Sequence, residues 1–255
     1  MLIIQDFYFE NLDAHRPLHI HVPDQPGRFP VMYFFDGHNL FRDEDATYGK
    51  SWGMEDYLAG WDKPMIVVGM ECAHEGNKRL AEYLPYGTGY GWLKGVDALG
   101  EMTMRAMIYE LKPYIDGNFP TIPFRECTGI GGSSMGGLMA IYGLVRYNQY
   151  ISKAACVSPS IGSVSGKLWH DMNNIDMSPD TRAFFSWGTM EGYGGVEDPD
   201  REDTKSWLYR TNRVTANKII ARGGAAELYC QVGGRHREAD WEKQLPIFMP
   251  FLWQR

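Results

Sequence analysis

The stretch from residue 126 to residue 147 constrains the fold more than any other part of this chain. A short apolar segment at 127–130 leads into Gly-Ser-Ser-Met-Gly at 132–136, and a helix-compatible segment follows from Leu138. In a G-x-S-x-G sequence, the serine lies on a strained turn between a strand and a helix. The flanking glycines prevent collisions with the neighbouring strand and helix. The pattern therefore predicts that Ser134 stands above an α/β sheet as a nucleophile.

Apolar strand candidates alternate with helical patterns along the chain, which predicts an α/β fold with a mostly parallel central sheet flanked by helices. We expect an antiparallel N-terminal strand pair at 3–10 and 18–22. The further strands are predicted at 29–35, 65–70, 126–130, 153–157, 183–187 and 227–232. The helices are predicted at 52–58, 96–114, 135–147, 205–222 and 239–252, and residues 161–180 are expected to be irregular. No repeat or linker divides the sequence, so we expect a single domain over residues 1–255.

Charge and composition exclude several classes of protein. The chain has 25 basic and 32 acidic residues, a net charge of −7, and phosphate binding needs a basic surface. No apolar run reaches the roughly 18–20 residues that span a bilayer, and the first residues lack the basic segment of a signal peptide. We expect a cytoplasmic protein that binds a small molecule, with no nucleic-acid or membrane partner. The sequence leaves open whether the chain forms a homo-oligomer.

The cysteines carry a second indication of location. None has a C-x-x-C partner, and each lies in or beside an apolar run, which predicts reduced, buried thiols. They are Cys72, Cys127, Cys156 and Cys230.

A serine hydroxyl needs a base to take its proton, and the base needs a carboxylate to orient it. In α/β folds with this serine turn, the chain order is serine, acid, histidine. Only His170 and His236 follow Ser134. Because His236 comes directly after the last predicted strand and His170 lies away from any strand end, we predict His236 as the base.

The carboxylate has more than one candidate. Glu191 is the first acid after the strand predicted at 183–187, which is the expected place in chain order. Asp198 and Asp200 follow in a charged stretch that is also typical of a solvated loop. We predict Glu191 as the triad acid and keep the two aspartates as alternatives.

The oxyanion of a tetrahedral intermediate needs two preorganised donors. One is predicted to be the main-chain N–H of Met135, directly after the serine. The other is predicted to be the N–H of His38, because Gly37 would allow a sharp turn after the strand at 29–35. Asn39 is a candidate side-chain helper in substrate binding, although His38 and Asn39 side chains are equally typical of turns.

Several other aromatic and histidine residues are candidates for binding groups. Trp52, Trp92 and Trp187 fall in loops or near predicted strand ends, where they could line a substrate pocket or serve in ordinary packing. His19 and His21 share one face of a strand but lack a third ligand there, so we interpret them as part of an exposed edge-strand face. We expect no metal and no cofactor.

Four segments together resemble a known family. They are MYFFDGHNLF at 32–41, ELKPYID at 110–116, GSSMGG at 132–137 and GRHREADW at 234–241. They resemble the Putative esterase (esterase D-like) family of α/β-hydrolases, and the similarity extends from about residue 5 to 250. The family includes feruloyl and acetyl-xylan esterases, siderophore trilactone esterases and S-formylglutathione hydrolase.

The resemblance implies an α/β-hydrolase fold and a role for individual residues. The nucleophile falls on Ser134, the histidine on His236 and the acid on Glu191, where many relatives have aspartate. It implies cleavage of a small acyl ester, such as an acylated sugar, a phenolic ester or a siderophore ester, through an acyl-enzyme. A thioesterase and a non-catalytic binding protein with the same fold are the alternatives.

Overall fold

The central feature of the molecule is a mixed β-sheet, seen in a computed structural model that describes residues 1–191 and 206–254. Within these residues the sheet has eight strands in the order β1-β2-β4-β3-β5-β6-β7-β8. The strands are β1 (Leu2–Phe9), β2 (Ala14–His21), β3 (Val31–Phe35), β4 (Ile66–Met70), β5 (Thr128–Ser133), β6 (Lys153–Val157), β7 (Arg182–Gly188) and β8 (Ala225–Gln231). β2 is antiparallel to β1 and β4, and the other neighbours are parallel. The sheet is that of an α/β-hydrolase, as predicted.

Helices cover both faces of this sheet. They are α1 (Met54–Ala59), α2 (Lys78–Glu82), α3 (Gly100–Ala106), α4 (Lys112–Asn118), α5 (Met135–Arg146), α6 (Ser165–Met172), α7 (Trp207–Ala221), α8 (Glu238–Trp241) and α9 (Leu245–Trp253). No helix in the described ranges is long and apolar enough to cross a membrane.

Strand β3 shows how the core is divided. Successive side chains of a strand point to opposite faces. Val31, Tyr33 and Phe35 accordingly join a cluster that contains residues of α5. Met32 and Phe34 join a second cluster that contains residues of α9. All five side chains are buried, which is why this strand reads as a continuous apolar run rather than an alternating one.

Several predicted bounds shift by a few residues, as in β2, which begins at Ala14 rather than 18, and two segments differ more clearly. The helix predicted at 96–114 instead runs from Gly100 to Asn118, with a π-helical turn at Met107–Leu111 just before Pro113. A wider turn accommodates a proline, which has no N–H to donate. Residues 161–180 are not irregular throughout, because α6 lies within them and buries Leu168 and Met172, four residues apart. His170 is therefore on a helix and not in a loop.

All four cysteines lie in the described ranges, and none forms a disulfide there. Cys127 is only partly buried, whereas the other three are buried, as the sequence predicts.

Candidate active site

Ser134 lies on a strained turn between β5 and α5. Its φ of 56° and ψ of −118° are unfavourable for a residue with a side chain. Main-chain hydrogen bonds fix the turn: the Ser134 N–H donates to the Val157 carbonyl at 3.0 Å, and the Ser134 carbonyl accepts from Ser160 N–H at 2.9 Å. The surrounding strands therefore hold this serine in a conformation that the free chain would avoid.

Close packing surrounds the two glycines of the motif. A Cβ on Gly132 would lie 2.6 Å from the carbonyl carbon of Gly136, at the start of α5. A Cβ on Gly136 would lie 3.1 Å from the Cβ of Phe35 on β3. The distance at Gly132 confirms the predicted collision with the following helix, whereas at Gly136 the contact with the neighbouring strand would be tight rather than forbidden.

Glu191 and His236 form a direct contact. The Glu191 Oε2 lies 2.9 Å from the Nδ1 of His236. The Oε1 of the same carboxylate accepts hydrogen bonds from Ser158 Oγ at 2.6 Å and from the Gly188 N–H at 3.0 Å. The carboxylate is buried, and these donors hold it in one orientation towards the imidazole.

The loops that carry these two residues are joined to each other. The Met190 N–H donates to the Gly234 carbonyl at 3.0 Å, and the Gly233 N–H donates to Thr189 Oγ1 at 2.8 Å. Gly188 packs so closely on Gly234 that a Cβ would overlap its carbonyl. The parallel pairing of β7 and β8 thus places both loops together at the carboxyl ends of these two strands. The alternative acids Asp198 and Asp200 lie outside the described residues.

Ser134 and His236 line the same cavity, which has a volume of about 540 Å³. The Ser134 Oγ lies 3.4 Å from the Oγ of Ser160. Within the described residues there is no hydrogen bond between Ser134 and His236. The His236 ring packs edge-on against Trp241, with 5.0 Å between ring centroids. Ser134 and His236 therefore share one cavity, and the buried Glu191 carboxylate contacts the Nδ1 of that histidine.

The turn after β3 borders this cavity, but its backbone differs from the prediction. The left-handed conformation is at Asp36, with a φ of 58°, and not at Gly37. Gly37 is required for another reason: a Cβ there would lie 2.5 Å from the carbonyl carbon of Gly69 on β4. The glycine permits close contact between two segments rather than a sharp turn.

The side chains that follow in this turn anchor a neighbouring loop. His38 Nε2 lies 2.9 Å from Thr47 Oγ1, and Asn39 Oδ1 accepts from the Thr47 N–H at 3.0 Å. His38 and Asn39 both line the cavity. Met135 is the first residue of α5, where the main-chain N–H groups have no partner within the helix.

Asp36 forms a two-point ion pair that the sequence did not reveal. Arg79 Nε and Nη2 lie 2.7 Å from Asp36 Oδ1 and Oδ2. Burial would raise the pKa of the Asp36 carboxyl, but the charge and hydrogen bonds of Arg79 outweigh burial and lower this pKa below its usual value. The pair fixes the turn that carries His38.

Replacing Arg79 with methionine is expected to lower the free energy of unfolding at pH 7 by about 2–3 kcal/mol, because Asp36 would stay buried without its partner. This expected loss of stability is smaller than the loss for a fully buried ion pair, because the Arg79 side chain is 32% exposed. The difference should shrink as the pH falls through the acid range. There the wild type loses the contribution of a carboxylate whose pKa is lowered by folding. Urea unfolding at several pH values measures both effects.

Lys78→Met is the matched control, because Lys78 is on the same helix and its ion pair in the described part of the chain is with the exposed Glu75. It should unfold at nearly the wild-type urea concentration. Equal midpoints for the two variants would show that Arg79 does not stabilise this turn.

The three tryptophans predicted near the pocket are not among the described residues that line it. Trp52 is buried in the second core cluster, with its ring 5.9 Å from those of Phe34 and Trp241. Trp187 is buried against Tyr209, and Trp92 is 61% exposed. Position near a strand end does not fix the direction in which a side chain points, and this is why packing prevails at Trp52 and Trp187.

Sequence reasoning also missed two cavity residues beside His236. Trp241 and Glu238 both line the cavity, and both belong to the short helix α8. Burial raises the pKa of the Glu238 carboxyl. The segment GRHREADW contains both residues, so the resemblance offered a signal for them.

Volume alone does not identify this site. A larger cavity of about 820 Å³ is lined by residues of the N-terminus, the end of β2 and α1, including Met1, His21 and Leu58. Ser134, His236 and Glu191 are not among its described lining residues.

The interpretation of His19 as an exposed edge residue is wrong. β1 is the edge strand, and β2 lies between β1 and β4. His19 is only 3% exposed, and its Nε2 lies 2.7 Å from the Oε1 of Glu71. The partner comes from the end of β4, which a search along β2 could not find.

Comparison with known proteins places the chain in a family. The family model described as Putative esterase matches residues 10–252. The chain therefore belongs to the Putative esterase family. An uncharacterized protein, YbbA of Bacillus subtilis (strain 168), is 25% identical over 180 residues. That match covers 65% of this chain and 63% of YbbA.

Solved structures share the fold along the whole chain. An IroE-like serine hydrolase from Shewanella oneidensis has a TM-score of 0.75 at 17% identity, covering 100% of this chain and 80% of that one. The enterobactin esterase FES from Shigella flexneri has a TM-score of 0.72 at 17% identity, covering 100% of this chain and 59% of that one. At such identities the likeness shows the fold.

Proposed function

We propose that this chain is a serine hydrolase that cleaves a small carboxylic ester through an acyl-enzyme. Ser134 is the nucleophile, His236 the general base and Glu191 the acid of the triad. One observation carries the proposal: the strained Ser134 shares a cavity with His236, and the Nδ1 of that histidine is 2.9 Å from the Glu191 carboxylate. Membership of an esterase family supports it.

The geometry suggests how the proton moves. With Glu191 accepting from Nδ1–H, the Nε2 of His236 is the nitrogen left to take the Ser134 proton. Ser134 Oγ has to turn from Ser160 towards His236, and such hydrogen bonds often tighten only when substrate binds. The serine then attacks the ester carbonyl, and the main-chain N–H groups of Met135 and His38 stabilise the oxyanion.

The intermediate collapses when His236 returns the proton to the departing alcohol. Water, deprotonated by the same histidine, then hydrolyses the acyl-serine. The proposed reaction needs no cofactor. The same residues could cleave a thioester such as S-formylglutathione.

The cavity favours a polar ester. Asn39, Arg79 and His74 line it together with the aromatic Tyr48 and Trp241. Phenolic, siderophore and acyl-sugar esters all combine flat or apolar groups with many oxygen acceptors. The names of the enterobactin esterase and of a ferulic acid esterase with the same fold are consistent with this range. We also propose that the enzyme acts in the cytoplasm.

Labelling with a fluorophosphonate probe tests the nucleophile directly. Wild type should be labelled and Ser134→Ala should not, because only an activated serine attacks the probe at an appreciable rate. Ser160→Ala is the matched control, since its hydroxyl is the neighbour of Ser134 Oγ. It should still be labelled. Absence of labelling in the folded wild type would favour a non-catalytic binding protein, and labelling of Ser134→Ala would place the nucleophile elsewhere.

A further inference from the structure

We propose that His38, Glu71 and His74 form a binding site for a zinc-class divalent cation beside the candidate active site. One ligand atom from each residue lies within 4.8 Å of the other two. Glu71 directly follows β4, His38 lies in the turn after β3, and His74 lies in the loop beyond Glu71. Because β3 and β4 are parallel neighbours, their carboxyl ends bring these segments together.

Glu71 is the centre of the cluster. Its Oε1 lies 2.7 Å from His19 Nε2, and its Oε2 lies 2.7 Å from His74 Nε2. Tetrahedral ligands of zinc are separated by about 3.3 Å, so a metal in place of the shared proton requires only a small outward movement of one side chain. The His74 side chain, which is 55% exposed, has room to make it.

His38 provides an independent indication of a ligand. It is only 7% exposed, and its Nε2 is occupied by Thr47 Oγ1 at 2.9 Å. Its Nδ1 is buried and has no hydrogen-bond partner in the described part of the chain. A buried polar atom without a partner is costly and calls for an explanation. The His38 ring lies 4.7 Å from the His74 ring, so a metal shared by the two would supply the missing partner.

The donor set indicates which cation fits. Two imidazoles and one carboxylate suit zinc, and three protein ligands leave a fourth position for water or another oxygen donor. Calcium and magnesium prefer oxygen ligands alone. His19 would then act as the outer partner that orients the ligating carboxylate of Glu71.

The position of the cluster connects it with the cavity of Ser134. His38 and His74 line that cavity and also a neighbouring cavity of about 490 Å³, which Glu71 and His19 line as well. A bound cation would therefore lie between the two cavities. It would restrain the turn that carries the His38 N–H. The cation site does not depend on the proposed hydrolysis, because it is defined by binding.

Titration of metal-free protein with Zn²⁺, followed by calorimetry, tests the proposal. Wild type should bind one Zn²⁺ per chain, and excess Mg²⁺ should not displace it. His74→Gln and Glu71→Gln should each weaken the affinity by at least about tenfold. Co²⁺ used as a visible probe should show the absorption of a nitrogen- and oxygen-ligated site in wild type and lose it in both variants.

The matched control is His15→Gln, because His15 and Asp6 form an exposed histidine–carboxylate pair on the same sheet. It should bind Zn²⁺ as wild type does. The proposal is overturned if wild type shows no stoichiometric binding, if both cluster variants bind normally, or if His15→Gln loses the site. Circular dichroism of each variant checks folding, and the exposed His74 makes His74→Gln the substitution least disruptive to the core.

Discussion

Alanine at Ser134 is expected to lower kcat for ester hydrolysis by roughly 10⁴- to 10⁶-fold, and alanine at His236 should have a comparable effect. The reason is that the nucleophile and its base act in a single step, so removal of either one removes the step. The double variant should therefore be no slower than the slower of the two single variants. Initial rates with a chromogenic short-chain acyl ester, measured for all three proteins, give the comparison.

Ser160→Ala again provides the control, because it removes the hydroxyl that neighbours Ser134 Oγ and leaves the proposed triad unchanged. It should stay within about tenfold of wild type. Losses that multiply in the double variant would indicate that Ser134 and His236 act independently. Unchanged rates in either single variant would contradict the proposed mechanism.

The strand pattern could be read from the sequence because burial leaves a simple mark. Strands covered on both faces, such as β3 and β6, read as continuous apolar runs, and their predicted positions agree with the structure to within two residues. The serine turn was equally accessible, because its strain and its glycines are local properties of consecutive residues. The sequence does not predict helix α6 because Gly166 disfavours a helix in its first turn.

Contacts between distant segments could only be anticipated in part. Chain order brought Glu191 and His236 forward as partners, but the hydrogen bonds that join their loops have no sequence signature. Arg79 carried no signal at all, because the left-handed turn at Asp36 that it stabilises depends on the approach of α2. The pairing of His19 with Glu71 depends on β2 lying next to β4, and a search along one strand cannot reveal it.

Directions of side chains were the least predictable property. Trp52 follows the turn after β3, where a pocket residue would be expected, yet its ring packs between Phe34 and Phe248. The core at this point has space for a large aromatic ring. Burial of the apolar surface of that ring stabilises the fold by about 2–3 kcal/mol. Packing therefore determines the orientation of this residue, and Trp241 is the tryptophan that lines the cavity among the described residues.

Glutamine at Glu191 is expected to lower kcat by about 10³- to 10⁴-fold while leaving the fold intact. Glutamine has nearly the same shape, and its carbonyl oxygen can still accept from Ser158 Oγ and the Gly188 N–H. The amide NH₂ would then face His236 Nδ1 and donate to it. This hydrogen bond selects the tautomer with its proton on Nε2, and that nitrogen can no longer accept the proton of Ser134. Steady-state rates and thermal unfolding, measured side by side, separate the catalytic loss from any structural one.

Glu191→Asp is the matched comparison, because it keeps the charge and shortens the arm by one methylene group. It should retain more activity than Glu191→Gln, since a carboxylate that reaches His236 imperfectly still favours the productive tautomer. Asp198→Asn and Asp200→Asn should stay within a few-fold of wild type. If Glu191→Gln keeps near-normal rates while one of these asparagine variants loses them, the acid of the triad is that aspartate. The Glu191–His236 contact would then serve to hold the two loops together.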